Sequence, residues 1–364
     1  MSRRLGVLAV IAALLVVPYF FETFWLTTGL FCMAAAVAAI GLTLLVGVTG
    51  QLSLAHAFFI AIGAYGYCYL AGSTSPGPTE PSGLGLPTWL AALGAVLLAG
   101  VVGALFSPIA GRLRGIYLGL ASLGLVFIGQ HILFNASGVT GGFNGRGAEP
   151  FSVLGLRFDD GNGVVIGGVT FGAEERLWYL GLVLVLASWW FARNLVRSRP
   201  GRALQQVRDS EVAAAVMGVN VPLYKGAAFM VSSMYAALGG VFLALVFTVV
   251  TPDSFDFAYS IDFLIMIVLG GLGSIGGAVA GAVLVTATQQ LFDKYAGSLP
   301  LVSASGGGGL EAGQAASLIY GLAIIVVLIF APQGLAGLLR RLTGHRHTRS
   351  PSEARKVQPK ESTA

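Results

Sequence analysis

Charge is what this chain has least of. Of its 364 residues only 10% are Asp, Glu, Lys or Arg, where a soluble globular domain carries roughly a quarter. A soluble protein of this length needs far more polar surface to cover its core, so that class is excluded. Cysteine is nearly missing as well. Cys32 and Cys68 both lie inside apolar blocks, so no disulfide framework is implied and each reads as a small hydrophobe. Nucleotide chemistry is absent in its turn. No G-x-x-x-x-G-K-[S/T] occurs, and the glycine run 306–309 has no lysine after it, so no P-loop is present. Gly271-Leu-Gly273-Ser-Ile-Gly276 matches G-x-G-x-x-G in form only, because it sits in an apolar block without a strand–helix–strand context. No Ser/His/Asp or paired-carboxylate constellation stands out, and His345 and His347 form an isolated pair in a basic tail, so no metal site is expected. Asp262, His56 and His131 lie near the ends or breaks of apolar blocks and are too few for a proton relay. These absences argue against an enzyme and against a self-powered carrier. An external motor is the economical assumption.

What the chain does have is long, unbroken apolar sequence. Hydrophobic residues make up 55% of it, in blocks rather than stripes, and a helix apolar all round has no face for water. A crossing takes about 20 residues. Candidate spans are 5–22, 25–48, 57–72, 88–107, 115–135, 177–196, 226–250 and 315–331. The N-terminal block follows Arg3 and Arg4 without a small-x-small cleavage site and reads as a retained first helix. The stretch 261–292 is too long for one crossing and is interrupted by Gly270, Gly271, Gly273, Gly276 and Gly277. It is either two short crossings or a re-entrant element followed by one. Gly273, Gly277 and Gly281, spaced by four, suit close helix approach in lipid.

Basic residues favour the cytoplasmic side. They precede the first span, follow the last, and crowd 193–225. Only Arg146, Arg157, Arg176 and Lys294 fall on the opposite side, with most of the acids. Both termini are therefore expected in the cytoplasm, with an even count, about ten crossings, some broken or re-entrant. The fold class expected is an all-α polytopic membrane protein. A transmembrane domain covers 1–343, and 344–364 is a basic tail expected to be disordered. The basic excess is topology and implies no nucleic acid.

Three polar segments are long enough to carry function. Of the two external ones, 73–87 is rich in Pro, Gly, Ser and Thr, and 136–176 is rich in Gly and β-branched residues and could receive a soluble partner, or serve only as a connector. The cytoplasmic one, 197–225, has helical grammar: Pro200 and Gly201 at its start, Asp209 and Glu211 before a small-residue helix, Gly218 as C-cap and Pro222 as a stop. Two short helices are expected there. Ala213, Ala214 and Ala215 give a low-bulk surface suited to another protein's groove; an interfacial amphipathic helix is the plain alternative.

Ordered motifs add a resemblance. Gly201-Arg-Ala-Leu-Gln-Gln-Val-Arg-Asp-Ser-Glu211-Val-Ala-Ala-Ala-Val-Met-Gly218 resembles the Glu-Ala-Ala-type coupling loop of ATP-binding-cassette importer permeases. Gly41-Leu-Thr-Leu-Leu-Val-Gly-Val-Thr-Gly-Gln-Leu-Ser-Leu-Ala-His56, Leu113-Arg-Gly-Ile-Tyr-Leu118, Thr140-Gly-Gly-Phe-Asn-Gly145, Leu269-Gly-Gly-Leu-Gly-Ser-Ile-Gly-Gly277 and Ala331-Pro-Gln-Gly-Leu335 are similar to blocks of LivM-type branched-chain amino acid permeases, with Ala55 where the pattern has glycine. The resemblance implies the importer permease fold in the inner membrane, a LivH-like second permease, two cytoplasmic ATPase subunits and an external substrate-binding protein. It implies no cofactor on this chain, with ATP used by the partners, and alternating access without covalent chemistry. The coupling loop would engage the ATPase through Gly201, Arg202, Arg208, Asp209, Glu211, Ala213, Ala214 and Gly218. Gln51, Ser53 and His56, with Gly271 and Gly273, are expected to line the substrate pathway because broken helices expose ends that can hold a substrate; a tight reversal between spans is the alternative. A urea or short-amide permease is the rival within the family.

Overall fold

With no water to bond, an apolar segment must close its backbone hydrogen bonds internally, and these blocks fold as helices. The computed structural model describes residues 12–74, 81–113, 115–153, 156–158, 164–166 and 169–295, with isolated positions between 321 and 337. The helices are α1 (Thr23–Leu42), α2 (His56–Ala71), α3 (Thr88–Arg112), α4 (Ile116–Asn135), α5 (Ala173–Arg197), α6 (Arg199–Asp209), α7 (Glu211–Val216), α8 (Val221–Phe247), α9 (Phe257–Gly270) and α10 (Ile275–Tyr295). α1 runs on as a π-helix over Thr43–Val48. Among the described residues, six helices are long and apolar enough to cross a membrane: α1 with its extension, α3, α4, α5, α8 and α10. α2 and α9 are apolar but shorter.

The spans expected at 25–48, 57–72, 88–107, 115–135 and 177–196 each coincide with one helix. The span expected at 226–250 starts earlier, at Val221, because the Asn220 side chain caps it by accepting from Leu223 N. Pro222 does not stop the preceding helix. It occupies the first turn of α8, where a missing N–H costs nothing. Of the block 5–22, residues 5–11 lie outside the described residues, and 12–16 are helical before a 3-10 turn at Val17–Tyr19. The block 315–331, apart from positions 321, 322 and 325, and the tail 344–364 lie outside them as well.

The stretch 261–292 is two helices. α9 and α10 fold back on each other through a turn at 271–274, where Gly271 and Gly273 have φ of 104° and 79°. α9 has 14 residues, about 21 Å of helix, which is short for a crossing. Gly270 lies against Gly277, and Gly281 against the Met266 carbonyl. Gly273 is in the turn and takes no part in that helix pair.

α1 and α8 form the centre of the bundle. α8 nestles between α1 and α2: a Cβ on Gly239 would crowd Ala34 and Ala38 of α1, and one on Gly240 would overlap the Ile60 carbonyl of α2. α3 runs antiparallel to α8, with Ala91, Ala95, Ala99 and Ala110 fully buried. Small residues allow such approach where the solvent is lipid and packing is the main attraction. Outward-facing residues are large and apolar, including Leu93, Leu97, Val101 and Leu105 of α3 and Phe127, Ile128 and Ile132 of α4, as a lipid-facing surface requires.

One end of the bundle carries α6 and α7. The other carries short antiparallel pairs: β1 (Arg146–Gly147) with β6 (Val249–Val250), β2 (Ser152–Val153) with β3 (Leu156–Arg157), and β4 (Val164–Ile166) with β5 (Val169–Phe171). Arg146 locks this end. Its guanidinium donates to the carbonyls of Cys68 (3.0 Å), Val139 (2.7 Å) and Ser82 (3.0 Å), and lies over the Tyr69 ring. Burial lowers its pKa from the ordinary arginine value.

Gly240→Leu is expected to destabilise the protein by about 1–3 kcal/mol through overpacking, read as a lower thermal midpoint in detergent. Gly124→Leu on α4, where a Cβ meets nothing within 4 Å, should leave the midpoint unchanged.

Candidate functional site

After the π-helix the chain does not simply reverse. Gly50 turns with φ of 72°, and residues 51–55 climb back beside α1, so that α2 begins with the His56 ring level with Ala38. Ala38 is nine residues before Gly47, about 14 Å into the bundle. Irregular backbone therefore runs at membrane depth, which is tolerated only where neighbours satisfy its polar groups. They do so here. Leu54 N donates to Ser122 Oγ (2.8 Å) of α4, and Ala57 N to Ser260 Oγ (3.0 Å) of α9. Ala55 N donates to Ser53 Oγ (3.3 Å), and the Ala55 φ of −85° suits any residue.

Gln51 is 3% exposed. Its Nε2 donates to Thr49 Oγ1 (3.0 Å) and to the Lys225 carbonyl (3.2 Å). A carbonyl can only accept, so the amide orientation is fixed, and Oε1 is left without a protein partner. Ser53 is buried and caps the backbone. His56 Nε2 must donate to the Ala38 carbonyl (2.9 Å), while the ring packs on Phe263. The three are neighbours in sequence, and each bonds a different part of the bundle. Gln51 lines a polar cavity of about 250 Å³, together with Thr49, Arg208, Asp209, Glu211 and Lys225, whereas Ser53 and His56 stand between helices. Gly271 and Gly273 form the nearby turn, and a Cβ on Gly47 would overlap the Gly273 backbone.

The segment 197–225 builds two short helices by local capping. Ser198 Oγ accepts from Gly201 N, and Ser210 Oγ from Ala213 N. Gly201 has no room for a side chain beside the Leu195 and Val196 carbonyls. α7 ends in a Schellman motif: Gly218 N donates to Ala215 O and Val219 N to Ala214 O, both at 3.0 Å, with Gly218 at φ 85°. Ala214 is buried with Val207 and Val221, so the three alanines do not form one outward surface. Val212, Val216 and Met217 project instead, at 71%, 82% and 76% exposure. Arg202 and Asp209 are exposed. Arg208 is exposed as well, but its Nη1 donates to the Gly47 carbonyl at 2.6 Å. Glu211 forms a 2.5 Å ion pair with the buried Lys225 of α8.

Sequence reasoning missed Ser122, Ser260 and Lys225. A lone hydroxyl in an apolar helix was the available signal for the two serines, but nothing in the spacing shows which backbone each would cap. Asp262 accepts from Gln289 Nε2 (2.9 Å) across the α9–α10 pair, and His131 is exposed on α4. Among the described residues no group of three or more His, Cys, Asp and Glu could hold a metal ion.

The same sequence has recognisable relatives. Residues 24–328 match the family model described as "Branched-chain amino acid transport system / permease component". The chain is 30% identical over 319 residues to the high-affinity branched-chain amino acid transport system permease protein LivM of Salmonella typhimurium and to that of Escherichia coli K12, covering 85% of this chain and 69% of each relative. It is 24% identical over 271 residues to LivH of Salmonella typhimurium, covering 71% of this chain and 82% of that one. A multi-pass helical bundle, the break at 43–56 and a family match across most of its length together place this chain in the family of branched-chain amino acid transport permease components.

Proposed function

We propose that the chain is one of two membrane-spanning subunits of an ATP-binding-cassette importer that moves leucine, isoleucine and valine across the inner membrane by alternating access. The observation that carries this reading is the family match over residues 24–328, together with relatives named for branched-chain amino acid transport. In this reading the α6–α7 end is cytoplasmic. The basic residues Arg197, Arg199, Arg202 and Arg208 cluster there, as the bias of cytoplasmic loops requires. α7 then presents Val212, Val216 and Met217 to a groove on an ATPase subunit, a helix-in-groove contact made by apolar anchors. A LivH-like permease, a second ATPase and an external binding protein complete the assembly. The binding protein docks on the 136–176 end, and most substrate selection rests with it. Gln51, whose Oε1 has no protein partner, is the pathway residue this reading favours most.

The test is reconstitution of the chain with its companions in liposomes, with the binding protein titrated with leucine, valine and urea. Leucine or valine should stimulate ATP hydrolysis and drive uptake. Stimulation by urea alone would move the chain to amide transport, and uptake without ATP would replace the importer with a carrier.

Glu211 has a second task, because it neutralises a buried lysine. Glu211→Gln is expected to cost about 1–3 kcal/mol of stability by leaving the Lys225 ammonium unpaired. The double variant Glu211→Gln/Lys225→Met should recover part of that loss, measured by thermal unfolding in detergent.

A further inference from the structure

The two interruptions of the helical bundle, at 43–51 and 271–274, lie far apart in sequence and meet at one side chain. Arg208, in the last turn of α6, donates from Nη1 to the Gly47 carbonyl at 2.6 Å. The final carbonyls of a helix have no following helical donors, and Arg208 supplies one from another element. Its stem passes Gly50, where a Cβ would stand 3.2 Å from the Arg208 Cγ. The Gly47 carbonyl faces the hairpin turn: a Cβ on Gly273 would lie 3.3 Å from that oxygen and 3.7 Å from Arg208 Nη1. A Cβ on Gly47 would overlap the Gly273 backbone, so the two breaks touch main chain to main chain. Both α1 with its π extension and α9 end here, and helix C-termini are negative and attract a cation. A guanidinium suits the place better than an ammonium, because its planar fork can hold more than one acceptor at a fixed angle.

We propose that Arg208 is the positioning residue that holds both helix breaks to the 197–225 segment, so that displacement of that segment moves both breaks together. The coupling role rests on the reading of this segment as the ATPase contact. The physical joint does not. The neighbouring Glu211–Lys225 pair ties α7 to α8 and reaches only the first break, through the Lys225 carbonyl and Gln51. Arg208 bonds the first break at the Gly47 carbonyl and lies beside the second at Gly273.

The experiment compares wild type with Arg208→Met, which keeps the stem and removes the donors, in the assembled complex in nanodiscs. Amide exchange is followed in peptides covering 43–53 and 270–277, beside uptake per ATP hydrolysed. We expect exchange to rise about tenfold in both peptides, the order expected for a lost charge-assisted hydrogen bond, and uptake per ATP to fall by a similar factor. Exchange that is unchanged in either peptide overturns the proposal, as does an unchanged transport ratio in a coupled complex. Should Arg208→Met fail to assemble, Arg208→Lys takes its place. A smaller rise in both peptides is then expected, and no rise in either one overturns the idea. If the wild-type complex itself does not couple ATP to uptake, the importer reading fails, while the exchange data still decide whether Arg208 joins the two breaks.

Discussion

An unpaired backbone polar group costs several kcal/mol to bury in a membrane protein, and the interior of this one is arranged around that constraint. Where the helices are continuous, the constraint is met locally. Where they break, side chains from elsewhere complete the bonding: Ser122 and Ser260 at the climb into α2, Arg208 at the end of the π-helix, and Arg146 at the opposite end. Ser122, Ser260 and Arg208 come from three different helices and Arg146 from β1. The breaks therefore fix how the helices sit relative to one another, in addition to what packing achieves.

Packing supplies the rest. A bundle held by dispersion and close backbone approach needs small residues at its centre, and α1, α2 and α8 have them at Ala38, Gly63 and Gly239–Gly240. Such an interior has few alternative arrangements. Movement is then easiest at the breaks, where bonding is by side chain. The polar cavity beside Gln51 lies at one of these breaks and is shared with α6 and α7. Movement of the short helices and any change in the surroundings of Gln51 are thus linked by geometry.

Much of this was legible in the sequence. Block length located the helices over 25–48, 57–72, 88–107, 115–135 and 177–196, because apolar runs in lipid have little choice but to be helical; of the ten crossings expected, six helices among the described residues are long and apolar enough to span. The short helices of 197–225 followed from their caps and glycines, and the interruption of 261–292 from its glycine cluster. What was not legible depended on contacts distant along the chain. From spacing alone Pro222 reads as a stop, yet it opens α8, since proline serves at both a helix end and the next helix start. The alanines of α7 were read as one surface, although a six-residue helix must bury one side of itself, and Ala214 is that side. Gln51, Ser53 and His56 are close in sequence, but which neighbours they bond (the Lys225 carbonyl for Gln51, Ala55 N for Ser53, the Ala38 carbonyl for His56) depends on the reversal at Gly50, which spacing does not show. Lys225 read as one more topological charge, with no sign that its partner would be Glu211.

The central claim is that force enters this chain through the exposed tip of α7. The most direct measurement is site-specific cross-linking from Val216→Cys, which is favoured by the burial of both native cysteines. In the assembled importer, a short thiol-reactive cross-linker should join this position to an ATPase subunit, with a yield that changes between nucleotide-free and ATP-trapped states. An assembled, transport-competent complex that gives no such adduct in either state would contradict the account.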